Sequence, residues 1–279
     1  MINRLVGAAL RAFFVILLIA TPSLILPGTT TDVAQIVMLV ALFGAGLTFF
    51  EYASSYPGLV EFRDAPPFNR IRFGSLFVTV LLLSMLVSDG MFPTMTTNAV
   101  TVLGATIGQA IDFPYSPVRL VVLMLPADAS VEHVHMVRNA AGLAYLISLL
   151  TLFSFIVLQR LRQWPLNHGS FNVWINLPTF DPTAGGDVVD RLERDARFNI
   201  ALGFLLPFLT PAVIKSATSL FGAVSLDGSQ TLIWTVAAWA FLPASLFMRG
   251  IAMGRIASLI TEKRKMSSEG EGNAGLLPV

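Results

Sequence analysis

Apolar residues in this chain neither alternate nor keep to one stripe of a helical wheel. They come in long, nearly unbroken runs at approximately 8–26, 33–50, 73–88, 141–159, 199–222 and 231–248. A helix needs about 20 apolar residues to cross the hydrocarbon layer of a bilayer, and all six runs qualify or nearly do. The third is the shortest, and Phe73 and its neighbours extend it. The connections after the first and fifth runs are short, so each of those pairs predicts a helical hairpin. The fold expected is an all-α, polytopic membrane protein of about six transmembrane helices. It forms one domain over 1–265, followed by a Ser-, Glu- and Gly-rich tail at 266–279 that reads as disordered.

Composition sharpens this reading. Of 279 residues, 54% are hydrophobic and only 13% charged, where a soluble domain carries about 25% charged residues. The mean hydropathy is +0.72. A net charge of +1 gives no case for nucleic acid as a partner. The absence of cysteine excludes disulfides, thiolate metal sites and a cysteine nucleophile. No cofactor and no metal is expected.

Charge also orients the spans. If the N-terminus is cytoplasmic, fifteen basic residues fall inside and three, Arg119, Arg138 and Lys215, fall outside or near the outer surface. Such a split follows the positive-inside bias and puts both termini in the cytoplasm. A seventh span at 96–112 would invert everything after it and move the arginines at 160–197 outside, which counts against it. Arg4 and Arg11 precede the first run as in a signal peptide, but the run ends in Pro27-Gly28-Thr29-Thr30 with no small-residue cleavage site. An uncleaved first span is expected. The excess of arginine over lysine reads as genome composition bias in a bacterium, which places the chain in a cytoplasmic (inner) membrane.

Two segments lie between spans. The outer one, 89–140, holds a mildly apolar stretch in which Gly104 and Gly108 give a small-xxx-small spacing, suited to a re-entrant or interfacial helix. The run Val118–Leu125 is too short for its length to decide strand from buried helix. Asp128 or Ser130 is placed to cap the helix that leads into the fourth span. The inner loop, 160–198, begins with Pro165, Pro178 and Pro182 among Trp164, Phe171, Trp174 and Phe180, and is irregular. Its second half predicts a helix capped by Asp187, with acid-before-base pairs Asp187–Arg191, Asp190–Arg194 and Glu193–Arg197 at i,i+4.

Candidate chemistry is sparse. Asp128, Glu132 and His135 form an outer acid–base candidate, but His133 and His135 diverge on a helix and a zinc site needs three or four ligands. Pro207 and Pro211 break the fifth span, and Lys215 lies near its outer end. A broken helix beside a cation can line a substrate path, and it can equally be a structural kink with a snorkelling lysine. The segment holding Phe62, Arg63, Arg70 and Arg72, together with Trp164 and Trp174, suits either anionic headgroups or a partner protein. Three classes follow. The first is a non-catalytic subunit or assembly and stabilising partner of a larger membrane complex, meeting another integral membrane protein or its own copy in the lipid bilayer. The second is a transporter or lipid-handling protein using the Pro-broken fifth span. The third is a membrane enzyme with an outer-face site. The near absence of ionisable groups inside the spans favours the first.

Overall fold

The computed structural model describes residues 2–161, 164–165, 172–181, 183, 185–221 and 226–274. All regular elements among them are helical: α1 (Ile2–Ile25), α2 (Thr31–Ala53), α3 (Phe68–Asp89), α4 (Met95–Ile111), α5 (Pro117–Val122), α6 (Val131–Leu161), α7 (Val173–Asn176), α8 (Val188–Phe221) and α9 (Ser229–Ala274). Six stretches are long and apolar enough to cross a membrane: α1, α2, α3, α6, Val188–Ala217 of α8 and Ser229–Ser267 of α9. The helices outrun the apolar runs because polar turns continue them at both ends. The 46 residues of α9 correspond to about 69 Å; it stays packed as far as Ala257, and residues 262–267 are exposed. That helix continues to Ala274, through the start of the segment expected to be disordered.

The helices α3, α6 and α9 form the centre, with α1 and α8 against its flanks. Buried Val80, Leu83, Leu143, Leu232, Ile233 and Val236 fill the contact. Hydroxyls stitch the seam. Ser148 Oγ donates to the Ala240 carbonyl at 2.9 Å, and Thr151 Oγ1 approaches Ser75 Oγ at 2.7 Å. Each hydroxyl also reaches a carbonyl one turn back in its own helix, which keeps polar atoms satisfied where water is scarce.

Close helix crossings rest on glycine. A Cβ on Gly142 would stand 2.6 Å from Gly108 Cα, so α4 and α6 meet backbone to backbone. Gly203 and Gly250 do the same for α8 and α9, where an added Cβ would stand 2.7 Å from the Pro243 and Ala196 carbonyls. The first crossing also locates α4. Gly104 lies against Asn139, and Gly108 against Asn139 and Gly142, so α4 lays its glycine face along α6. Its start is tied to the end of α3, where Thr97 Oγ1 donates to Asp89 at 2.7 Å. Helix α4 is not among those long and apolar enough to cross a membrane. Val118–Leu125 resolves as the short helix α5 and a turn, with Pro117 in its first turn and Ser116 as its cap.

One end of the bundle gathers the start of α1, the end of α2, the 54–67 connection, the 172–181 segment and the outer part of α9; we call it the basic end. The far end carries α4, α5, the α1–α2 connection and residues 226–228 before α9.

Candidate functional site

The densest polar constellation lies at the basic end, where α2 stops and α3 starts. Glu51, in the last turn of α2, accepts the amides of Gly58, Leu59 and Val60 at 2.9–3.1 Å and so folds the connection back on itself. The Arg63 side chain, 5% exposed, donates to the Glu51 and Ser54 carbonyls at 3.1 and 2.7 Å. These bonds satisfy carbonyls freed at the end of α2. Phe62 adopts φ 52°, in the left-handed region, which costs a bulky residue on the order of 1 kcal/mol or more. Full burial of its ring and a 2.7 Å bond from its amide to the Asn176 carbonyl offset that cost.

This turn presents Glu61 to α9. Arg249 grips it in a fork, Nε to Oε2 at 2.6 Å and Nη2 to Oε1 at 2.9 Å, while Thr179 Oγ1 donates to Oε1 at 2.6 Å. Burial pushes the Glu61 carboxyl up. The bonds from Arg249 and Thr179 and the charges of Arg249 and Arg72 outweigh burial and hold it below the usual carboxylate range. Arg72, one turn into α3, stands over the Phe68 ring at 5.4 Å and near Phe241 at 5.9 Å. Its Nε is buried and has no hydrogen-bond partner among the described residues. Beneath lies an aromatic cluster of Phe62, Phe68, Phe155 and Trp164, with ring centroids 4.4–6.4 Å apart. The Trp164 indole closes it by donating to the Ala65 carbonyl at 3.0 Å. Chemically this is a lock between segments far apart in sequence. With three bonds from Arg249 and Thr179 and its affinity for a proton lowered, the Glu61 carboxylate is a poor general base.

The structure therefore divides the residues expected to face lipid or a partner. Phe62 and Trp164 point into the protein, 0% and 2% exposed, since their rings pack on one another instead of on headgroups. Arg63 is consumed by carbonyls, Arg72 is half-buried, and Arg70 is exposed. The Trp174 side chain lies outside the described residues, as do Phe171 and Arg162. Glu61, Arg249 and Thr179 escaped sequence reasoning because they come from three separated segments. The one available signal was an acid and an arginine at opposite edges of apolar runs.

At the far end, Asp128, Glu132 and His135 are all exposed. No group of three or more His, Asp or Glu able to hold a metal occurs among the described residues. Ser130, not Asp128, caps α6, accepting the His133 amide at 3.1 Å. The helix expected after Asp187 forms, and Asp187 accepts the Val189 amide at 2.7 Å. Its carboxylate also pairs with Arg264 of α9 at 2.8 Å, and the hydrogen bond from Arg264 holds it below the usual range. Arg191 stacks over Phe180 at 4.8 Å.

Pro207 and Pro211 sit inside one continuous helix, α8. Pro211 cannot donate to the carbonyl of residue 207; the Trp239 indole of α9 donates to it instead, at 3.1 Å. The break is thus filled by a neighbour. Beside it lies an apolar cavity of about 480 Å³ lined by Met124, Leu206, Thr210, Trp234, Trp239 and Leu242 among others. Lys215 is exposed and donates to the Leu125 carbonyl at 3.1 Å. No family of proteins, no curated protein and no solved structure matches this chain.

Proposed function

We propose that this chain is a non-catalytic integral membrane protein that serves as a subunit or stabilising partner of a larger membrane complex. We place it in a bacterial cytoplasmic membrane with the basic end and both termini inside. The observation that carries the reading is the isolation of α2. It packs on α1 and on no other helix among the described residues, and only Ala41 and Ala45 along it are buried. Its open side carries Ile36, Leu39, Phe43, Gly46 and Phe50, spaced by three and four residues. All four large side chains are exposed, and a Cβ on Gly46 would meet nothing within 4 Å. A stripe at this spacing with a notch between large residues suits the knob of a second transmembrane helix.

The protein should be extracted from its native membrane in mild detergent, run on a native gel, and its co-migrating species identified. Gly46→Leu fills the notch and Phe43→Ala removes a knob, and neither touches the described core. The reading requires that wild type migrate in a defined assembly and that Gly46→Leu release it while the variant still inserts and melts normally. Wild type running alone, or an assembly indifferent to both variants, overturns it. The apolar cavity beside Trp239 favours a lipid-handling role as the second reading. That role requires Pro207→Ala or Lys215→Met to abolish transport while insertion is unchanged.

A further inference from the structure

A second polar feature at the basic end lies apart from the Glu61 lock. Between the first turns of α1 and the end of α2 opens a cavity of about 460 Å³, lined by Asn3, Arg4, Gly7, Arg11, Tyr52, Ser55, Arg63, Asp64 and Ile175. Three guanidinium groups face it and one carboxylate does. That carboxylate, Asp64, is taken by Arg63 at 3.1 Å, and Arg63 spends its remaining donors on the carbonyls of Glu51, Ser54 and Ser55. Arg4 and Arg11 are different. Arg4 makes a single bond, Nε to the Tyr52 carbonyl at 3.3 Å. Arg11 bonds the Gly7 carbonyl through Nη1 at 2.7 Å and stands 4.6 Å over the Tyr52 ring. Neither has a carboxylate partner among the described residues. Two arginines are thereby held in place on the wall of one cavity, with most of their N–H donors unspent.

The surroundings say what those donors meet. Arg4 opens a helix long and apolar enough to cross a membrane, and Arg11 lies about 10 Å further along it. Next to Arg11 the helix surface is apolar and open, with Leu10 and, one turn further on, Phe14 exposed. In the connection that follows Ser55, Tyr56 and Leu59 are exposed as well. A cationic cavity opening onto bare apolar helix fits an amphiphile whose anionic head enters the cavity and whose chains lie along α1. We propose that Arg4 and Arg11 bind the phosphate of an anionic phospholipid, with Arg63 fixing the cavity floor and Tyr52 aligning Arg11. Guanidinium forks suit phosphate oxygens because they offer parallel donors to two of them at once. A zwitterionic lipid brings its own ammonium against the two arginines and is disfavoured. Inorganic phosphate shares the head chemistry but gains nothing from the apolar wall.

The test uses the full-length protein, delipidated in detergent and then offered dioleoyl phosphatidylglycerol, dioleoyl phosphatidylcholine or inorganic phosphate, with bound lipid counted by native mass spectrometry. Wild type should retain one phosphatidylglycerol well beyond phosphatidylcholine, and inorganic phosphate should displace it poorly. A basic residue at a membrane surface contributes on the order of five-fold to anionic lipid binding, so Arg4→Gln/Arg11→Gln should weaken retention by about 30-fold. Arg194→Gln/Arg197→Gln removes equal charge from the same end outside the cavity and should change little. Arg11→Lys guards against misfolding. It keeps the charge but loses the fork, so an intermediate loss is expected. Equal retention of the two lipids, unchanged retention in the Arg4/Arg11 double variant, or an equal loss in the Arg194/Arg197 variant overturns the proposal. Displacement by millimolar inorganic phosphate with no lipid preference assigns the cavity to a soluble anion and overturns it too.

Discussion

The two ends of the bundle are held by opposite means. At the basic end, segments 99 to 188 residues apart meet through discrete bonds: Glu61 with Arg249, Trp164 with the Ala65 carbonyl, Asn176 with Phe62 and Asp64. At the far end, α4 lies on α6 through the absence of side chains, with Gly108 and Gly142 letting two backbones touch. A buried charge is costly without its partner, so the first kind of joint fails in whole steps. A glycine crossing fails by degrees, as each added atom forces the helices apart. The two ends should therefore respond differently to substitution and to pH.

The largest effect is expected from Glu61→Gln, which leaves Arg249 and Arg72 facing each other without a carboxylate. Loss of one partner of a buried pair costs about 3 kcal/mol. It should lower the thermal midpoint in mild detergent, and Glu61→Gln/Arg249→Gln should recover part of it. A double variant no better than the single would mean that Arg249 is solvated in the absence of Glu61. Next comes Gly142→Ala, where a methyl group meets Gly108 backbone at 2.6 Å. Overpacking of this kind costs about 2 kcal/mol, and a cysteine pair bridging α4 to α6 should then crosslink less readily. Trp239→Phe keeps the ring but withdraws the donor from the Pro207 carbonyl, at about 1 kcal/mol, read from the same melts.

Acid provides the separating test. The Glu61 carboxyl is held below its ordinary value of 4.5, so the folded state binds its proton more weakly than the unfolded one. Its contribution is present in full above that ordinary value and is lost as pH falls through the lower folded value. Wild type should lose stability below about pH 4.5, and Glu61→Gln should lose less over the same range. Equal acid sensitivity in the two proteins would remove Glu61 from the account. The smallest effects belong to Glu132→Gln and His135→Ala, whose exposed side chains at the far end should leave both melting and assembly unchanged. A loss of function there with normal folding would revive the outer-face enzyme.

Much of this was legible in the chain because it depends on local quantities. Six apolar runs become six helices because a peptide surrounded by lipid must bond its own backbone. The Gly104–Gly108 spacing marked α4 as a packing helix, and Asp187 is where a cap was expected. What was not legible depends on which segments meet, and position along the chain does not carry that. Phe62 and Trp164 stand at the edges of apolar runs, yet both are interior and pack on each other with ring centroids 5.7 Å apart. Asp187 is also reached by Arg264 from another helix, a contact that no local spacing announces.

Hydropathy and capping act over a few residues, so the existence and approximate place of the six long apolar helices could be read from the chain, though not how far their polar turns continue. Only the tertiary structure decided which charges neutralise each other, which aromatics are interior, and that Arg4 and Arg11 share one cavity while α2 stands apart. Those outcomes depend on contacts between residues far apart in the chain, and burial reverses the cost of a charge or a ring according to what else arrives beside it.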